Sequence, residues 1–443
     1  MTDTATTPSR EAVVRVLRQR TEEAYSHQLG LLGRDDEWFA LLKKAGLLHV
    51  RSETERNPDG SATTHIYETA PRLAKIAVTR LGLELWFRPL TGQSLETWKA
   101  ASGALRTAMR APRLAVAERH DPEALFGLQL RDKDPFEAAT ADMGDTPASA
   151  KDGARSVLGV DEDGEPAEIV WRGSSGMVVG GVPGSGKTAS LLPVFAGLAG
   201  QAELHVFDGK AGYDLHALRH IARTYDRTGD VDAPLAALER LEVLRQVRSE
   251  ALYPATGEPN FWNLAADHPL RLSNVPVFAI LDEVQTWLDT SGMDAEEKKA
   301  SARITRLVRT LIQKGRSAGV VTVLTTQKPD ATSIPTVIRD NAALKLCFKV
   351  STQEQAKTVL GELPEGVAPT AIPLKAKGRY VLDVEGQGHK TVQSHYVPPQ
   401  KLDAHLAQSQ PVPDQLEAAL DLLDPERRGH YRATLTRIEK TSR

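Results

Sequence analysis

The sequence predicts an α/β fold: a phosphate-loop core built on a mostly parallel sheet, preceded by a small α+β module. Three observations lead there. From about Ser156, apolar runs of strand length alternate with helical periodicities. One such run, "MVV", leads into the glycine-rich "GGVPGSGKT" and then an apolar helix. Another, "VPVFAILDE", ends in two acids. Ahead of Ser156, strand pairs and helices are mixed without that alternation.

Taken in order, residues 9–48 carry helical periodicity through Val13, Leu17, Trp38, Leu41, Leu42 and Leu47. "RNPDGSATTH" is a turn-rich break. "IAVTRLGLELWFRPL" reads as strand, Gly turn and strand, and "SLETWKAASGALRTAMR" as an amphipathic helix opened by Ser94, with Glu96 in its first turn. "PRLAVAERHDPEALFGLQL" gives another strand pair. These make a module over 1–135, and 136–155, rich in Ala, Thr, Asp and Gly, reads as a linker. The core occupies 156–398, with strands expected at 177–181, 203–208, 276–281, 320–326 and 344–350. "GRYVLDVEG" and "KTVQSHYV" close it as a strand pair. "KKASARITRLVRTLIQKGRSAG" is its clearest helix. Residues 399–443 read as a tail of one or two short helices with a basic end. No internal repeat is visible.

Composition narrows the function. The 443 residues are 41% hydrophobic and 26% charged, as in folded soluble chains, and the formal net charge is −3. Any nucleic acid must therefore be held by local basic patches. The single cysteine, Cys347, excludes an intrachain disulfide, sits in an apolar strand and reads as a core thiol. There is no apolar run of transmembrane length, and "MTDTATTPSREAVV" lacks a signal-peptide core. The expected location is cytoplasmic.

Gly181, Gly186, Lys187 and Thr188 satisfy G-x-x-x-x-G-K-[ST], with Gly184 and Ser185 inside the loop. Between a strand and a helix, such a loop turns its backbone N–H groups and the helix N-terminus toward phosphates. Lys187 would reach the β- and γ-phosphates, and the Thr188 hydroxyl would ligate Mg²⁺. Asp282 would help hold the metal, and Glu283 could polarise an attacking water. A glutamate there suits a hydrolytic motor, so the nucleotide is expected to be ATP. Gln327 ends the next apolar strand. Beside the phosphate-loop strand it would report the γ-phosphate; otherwise it starts a solvated loop. Arg316, at a helix end, reads on its own as a cation complementing the helix dipole. His216 and His220 would share a helix face but lack a third metal ligand.

Together with "VFDGKAGYDL" and "KGRSAGVVTVLTTQKPD", these motifs make Ser156 to Val397 resemble the FtsK/SpoIIIE family of DNA-pumping ATPases. Within it the chain is most similar to the actinobacterial plasmid-transfer proteins called TraB or TraSA, an impression to which "LGVDEDGEP" adds. The resemblance implies a RecA-like core, a hexameric homo-oligomer with ATP between subunits, and double-stranded DNA in a central channel. Lys187, Thr188, Asp282, Glu283 and Gln327 fall on the family's nucleotide residues. Arg316 falls on the arginine extended into a neighbour's site. Lys345 stands where family members often have arginine, which leaves that position's role open. The membrane-spanning N-terminus of the chromosome-segregating members and their winged-helix domain are expected to be missing, so any membrane association would come through transfer-protein partners.

Three readings remain: a motor that moves double-stranded DNA in plasmid or integrative-element transfer or segregation, a protein-secretion ATPase, and a non-motor ATP-binding partition scaffold. The first would grip phosphates with local cations, and Lys210, Lys298 and Lys299 are candidates. An aromatic content of 5% offers no stacking platform for single strands. A single phosphate loop weighs against the second reading, and the set Glu283, Gln327 and Arg316 against the third.

Overall fold

The computed structural model describes residues 21–56, 62–79, 81–119, 123–132, 134–136, 153–265, 267–363, 367–386 and 388–441. The chain divides into two units, residues 1–134 and 135–443. In the first, helices Ser26–Leu32 and Asp35–Lys44 take up the described part of the expected helical stretch. Next, β1 (His49–Arg56) and β2 (Ala62–Thr69) pair as an antiparallel hairpin. This corrects the expectation of a plain turn-rich break there; residues 57–61, between the strands, lie outside the described residues. The described side chains of the hairpin are mostly exposed, so no buried face imposes the alternation that announces a strand.

The rest of this unit is an antiparallel sheet in the order β3 (Arg72–Val78), β4 (Gly82–Arg88), β6 (Leu125–Arg131), β5 (Arg113–Arg119). Helix Leu95–Ala108 is capped by the Ser94 side chain, which accepts from the Thr97 N–H. Its Trp98 and Leu105 join Leu85, Phe87, Leu128 and Leu42 in one core.

The second unit is built on a ten-stranded sheet. The strands are β7 (Arg155–Asp161), β8 (Pro166–Val170), β9 (Gly176–Gly180), β10 (Glu203–Asp208) and β11 (Ala222–Asp226). After them come β12 (Val277–Asp282), β13 (Val320–Thr326), β14 (Leu344–Phe348), β15 (Arg379–Val384) and β16 (Gly388–Ser394). Their spatial order is β11-β10-β12-β13-β9-β14-β15-β16-β7-β8. β11 through β14 in that order run parallel, and the remainder is antiparallel. The expected core strands are all present, the one at 344–350 ending early at Phe348. The sequence reading lacked β11 and the β7–β8 hairpin. In that hairpin the Asp161 carboxylate accepts from the N–H groups of Asp163 and Glu165 and closes the turn.

Strands β10, β12 and β13 are buried along their whole length because helices cover both faces. Phe278, Ile280, Val321 and Val323 face Leu191 and Phe195 of helix Lys187–Ala196. Val277, Leu281, Val320 and Leu324 face helices Asp232–Thr256 and Ala295–Lys314. The latter helix starts at a capping box, Asp294 with Glu297. The C-terminal stretch holds helices Pro399–Leu406, Gln415–Leu420 and Pro425–Thr441, one more than expected. Leu416, Leu420, Tyr431 and Leu435 are part of the core on the second face. Among the described residues no helix is long and apolar enough to cross a membrane.

Candidate active site

The parallel strands all end on one edge, and their registers align the ends. Asp208 pairs with Asp282 across β10 and β12, and Thr326 pairs with Gly180 across β13 and β9. β13 thus lies directly beside the phosphate-loop strand, the condition under which Gln327 belongs to the site. The loop leaves β9 at Gly181, whose N–H donates to the Thr326 carbonyl at 3.2 Å, and Val182 N–H donates to the Lys349 carbonyl at 2.8 Å. Gly186 caps the following helix at φ 91°, a left-handed conformation that favours glycine. A Cβ there would lie 2.5 Å from the backbone nitrogen of Gly378.

Beside the loop is a cavity of about 380 Å³. Gly184, Ser185, Gly186, Lys187 and Thr188 line it, and Tyr213, Gln327 and Pro399 face it from other segments. Among the described residues the buried Ser185 hydroxyl has no hydrogen-bond partner. A buried polar atom without a partner is costly, and a phosphate oxygen in the cavity is a fitting acceptor for it.

Glu283 stands first off β12 in a left-handed conformation, φ 55°, uncommon for a residue with a side chain. The conformation turns its carboxylate into a cluster. Oε1 lies 3.3 Å from Lys187 Nζ, and both side chains are almost fully buried. Oε2 accepts from the Gln327 backbone N–H at 2.9 Å and from Gln285 Nε2 at 2.8 Å. Thr326 donates in turn to Gln285 Oε1.

Asp282 accepts a hydrogen bond from the Thr325 hydroxyl. Burial pushes its carboxyl up to about 6; Lys187 and the Thr325 bond pull the other way, and Glu283 and Asp208 add repulsion. The donor chemistry fits Mg²⁺: the hydroxyl of Thr188 and the carboxylate of Asp282 are hard oxygen ligands. Among the described residues no three His, Cys, Asp or Glu side chains gather as a metal-binding group. The remaining ligands would thus be phosphate oxygens and waters, as is usual for this ion.

Arg316 is elsewhere. It starts a single 3₁₀ turn before β13, so the strand of about 20 Å separates it from Gln327. It is exposed, and its guanidinium lies over Gly173, where a Cβ would come within 3.1 Å of Nη2. Within one chain it cannot reach the cavity.

Other sequence candidates acquire partners. Lys345 pairs with Asp383 at 3.0 Å across the β14–β15 ladder. Lys299 pairs with Glu296 at 2.7 Å on the surface. His216 and His220 lie on a short 3₁₀ helix, not an α-helical face, and face Tyr225 and Asp403 respectively. Cys347 is buried, and burial pushes its thiol up, as for a core residue. The sequence reading missed Gln285 and the place of Lys210, whose Nζ donates to Gln327 Oε1 at 2.7 Å. A strand ending "VFD" at Asp208, just as "ILD" ends at Asp282, is the signal that could have drawn attention to Lys210.

No family model matches the chain. Among curated proteins, DNA translocase FtsK 2 of Neisseria meningitidis is 28% identical over 141 residues, 28% of this chain and 13% of that protein. DNA translocase FtsK 2 of Ralstonia nicotianae is 24% identical over 270 residues, 52% of this chain and 33% of that protein. The chain resembles FtsK-type DNA translocases. It matches only a third or less of these relatives' length. Among solved structures, the pCW3 conjugation coupling protein TcpA, a monomer form with ATPγS, superposes with a TM-score of 0.52 at 18% identity. That match covers 84% of this chain and 98% of TcpA. The fold is thus that of a P-loop ATPase, with a large, mostly parallel sheet.

Proposed function

We propose that the chain is an ATP-driven translocase of double-stranded DNA, acting in plasmid or integrative-element transfer or in DNA segregation. The observation that carries the ATPase reading is the contact of Glu283 with Lys187 and with the Gln327 backbone at the mouth of the phosphate-loop cavity. A binder without hydrolysis has no use for a buried carboxylate there. The likeness to FtsK translocases and to a conjugation coupling protein supports DNA as the substrate.

In this reading the loop amides and Lys187 hold the phosphates of ATP, with Gly181, Gly184 and Gly186 giving the backbone close approach. Lys187 then exchanges Glu283 for phosphate, which frees Glu283 to accept the proton of an attacking water. Gln285 and the Gln327 N–H fix the orientation of that carboxylate. Mg²⁺ on Thr188 and Asp282 would neutralise charge on the phosphates. The Gln327 amide reports the γ-phosphate. Arg316 serves the site of a neighbouring copy and stabilises charge on the transferred phosphoryl group, so hydrolysis requires a homo-oligomeric ring, a hexamer by family likeness. DNA in the channel is gripped by its phosphates, without base reading. The protein works in the cytoplasm and is recruited to the membrane by transfer partners.

The test is ATP hydrolysis without nucleic acid, with linear duplex and with single strands, alongside Glu283→Gln. Stimulation by duplex, lost in the variant and falling with salt, is the expected result. Hydrolysis indifferent to DNA would replace this reading with a protein-secretion ATPase, and no hydrolysis under any condition with a partition scaffold.

A further inference from the structure

Lys210 has no role in the mechanism above, and as a sequence feature it suggested only a contact to DNA. Its position suggests something else. The turn that carries it is tied down on several sides. Gly209 N–H donates to the Asp282 carbonyl at 2.9 Å, and Lys210 N–H donates to Asp208 Oδ1 at 2.9 Å. The Thr286 hydroxyl donates to the Gly209 carbonyl at 3.0 Å. Ala211 sits at φ 54°, a left-handed conformation that redirects the chain, and Arg227 donates to its carbonyl at 3.3 Å. From this turn Tyr213 and Asp214 go on to form one wall of the nucleotide cavity.

The Lys210 side chain, 56% exposed, leaves this fixed turn beside Gln327, which lines the cavity. Its ammonium lies 2.7 Å from Gln327 Oε1 and 3.9 Å from Glu283 Oε1. That Glu283 oxygen is the same one that faces Lys187 at 3.3 Å. Two ammonium groups thus flank one carboxylate oxygen, one from the phosphate loop and one from the turn after β10. Lysine only donates, so the Gln327 amide gives it the oxygen and keeps its NH₂ for other partners.

The geometry points to Lys210 as a second phosphate-binding cation, one that acts within its own chain on the γ-phosphate of the bound nucleoside triphosphate. This inference rests on the ATPase reading. When the triphosphate enters, Lys187 engages it from the loop side. Lys210 then meets the terminal phosphoryl group from the Gln327 side and leaves Glu283 to the water. A nucleoside diphosphate has no group at that position, so Lys210 distinguishes the two nucleotides. Arg316 performs the corresponding task from the neighbouring subunit.

Calorimetric titration of the full chain with Mg²⁺ and either ATPγS or ADP tests this without turnover. Wild type, Lys210→Ala, Lys210→Gln and Lys210→Arg are compared, and duplex DNA affinity is measured on each. Lys210→Ala and Lys210→Gln are expected to weaken ATPγS by about ten-fold or more, the scale of one charge-assisted hydrogen bond. ADP should stay within about two-fold, Lys210→Arg should recover most of the loss, and DNA affinity should hold. Equal weakening of both nucleotides, or of neither, overturns the assignment. So does a loss confined to DNA, which would return Lys210 to the nucleic acid. Wild type binding neither nucleotide would instead bring down the ATPase reading, and this inference with it.

Discussion

The Lys187–Glu283 pair predicts its own double-mutant cycle. Its two charges are 3.3 Å apart with side chains 3% and 2% exposed. At the effective dielectric constant of about 20 that suits protein sites, their attraction is about 5 kcal/mol. Asp282 and Asp208 stand at the same strand edge, so Glu283 without Lys187 would be a buried anion beside acids, with only the solvent-facing Lys210 ammonium left at 3.9 Å. Lys187→Met keeps the aliphatic stem and removes only the charge. It should destabilise the nucleotide-free second unit by about 3–5 kcal/mol, the usual effect of orphaning one partner of a buried pair. Glu283→Gln removes the orphan, and its amide can still accept from the Gln327 N–H. The double variant should therefore recover most of the loss, with a coupling energy of about 3 kcal/mol. Urea unfolding of the four proteins without nucleotide, read in the transition that ATP shifts in wild type, gives that number. A coupling energy below about 1 kcal/mol would mean that the pair is effectively solvated, and the argument that Glu283 is held by Lys187 until phosphate arrives would fail.

The other predictions concern the rest of the site. With its folded carboxyl raised to about 6 by burial, Asp282 keeps a proton that the unfolded chain releases between about pH 4 and pH 6, so this group removes stability as pH rises through that window. In EDTA, Asp282→Asn should therefore melt higher than wild type at pH 7.5, by up to about 3 kcal/mol, with the gap closing at pH 4; a variant less stable at pH 7.5 contradicts this. Arg316→Ala should bind ATPγS like wild type yet hydrolyse about a thousand-fold more slowly. Mixed with Lys187→Met, also inactive alone, it should regain activity, and no recovery in demonstrably mixed rings refutes a role between subunits. Gly186→Ala places a Cβ 2.5 Å from the Gly378 nitrogen at a left-handed position. Nucleotide affinity should be lost in calorimetry, with at least about 1–2 kcal/mol of stability.

What the sequence revealed and what it concealed follow one physical division. Contiguous chemistry is legible: a phosphate loop needs its glycines and lysine in one turn, and a strand buried on both faces is an uninterrupted apolar run whose first polar residue marks its end. Lys187, Asp282, Glu283 and Gln327 stand out that way as candidates, and the core strands with them. Polar strands escape the same logic. The β1–β2 hairpin carries mostly exposed side chains, and β11 is an edge strand with half-exposed residues, so neither writes a hydrophobic period. Tertiary meetings escape it as well. Gln415 in the C-terminal stretch accepts from Arg248, a fully buried arginine whose guanidinium burial pulls down to about 9, and no local pattern links the two.

The position of β13 carries the argument furthest. Sequence fixes that "GVVTVLTTQ" is a strand, but not which strands flank it. Its place between β12 and β9 puts Gln327 over the phosphate loop and, in the same step, leaves the turn with Arg316 at the opposite end of a strand buried along all seven residues. That turn is anchored to the core as well: Trp262 Nε1 donates to the Arg316 carbonyl at 2.9 Å, and Arg248 donates to the Ala318 carbonyl at 2.8 Å. A shift of β13 along its own axis would carry the backbones at both of its ends together. On the proposed function, the residue that reads the γ-phosphate in one subunit and the residue that completes catalysis in the next are two ends of one strand. Sequential firing around a ring would then need no longer path of communication than β13 itself.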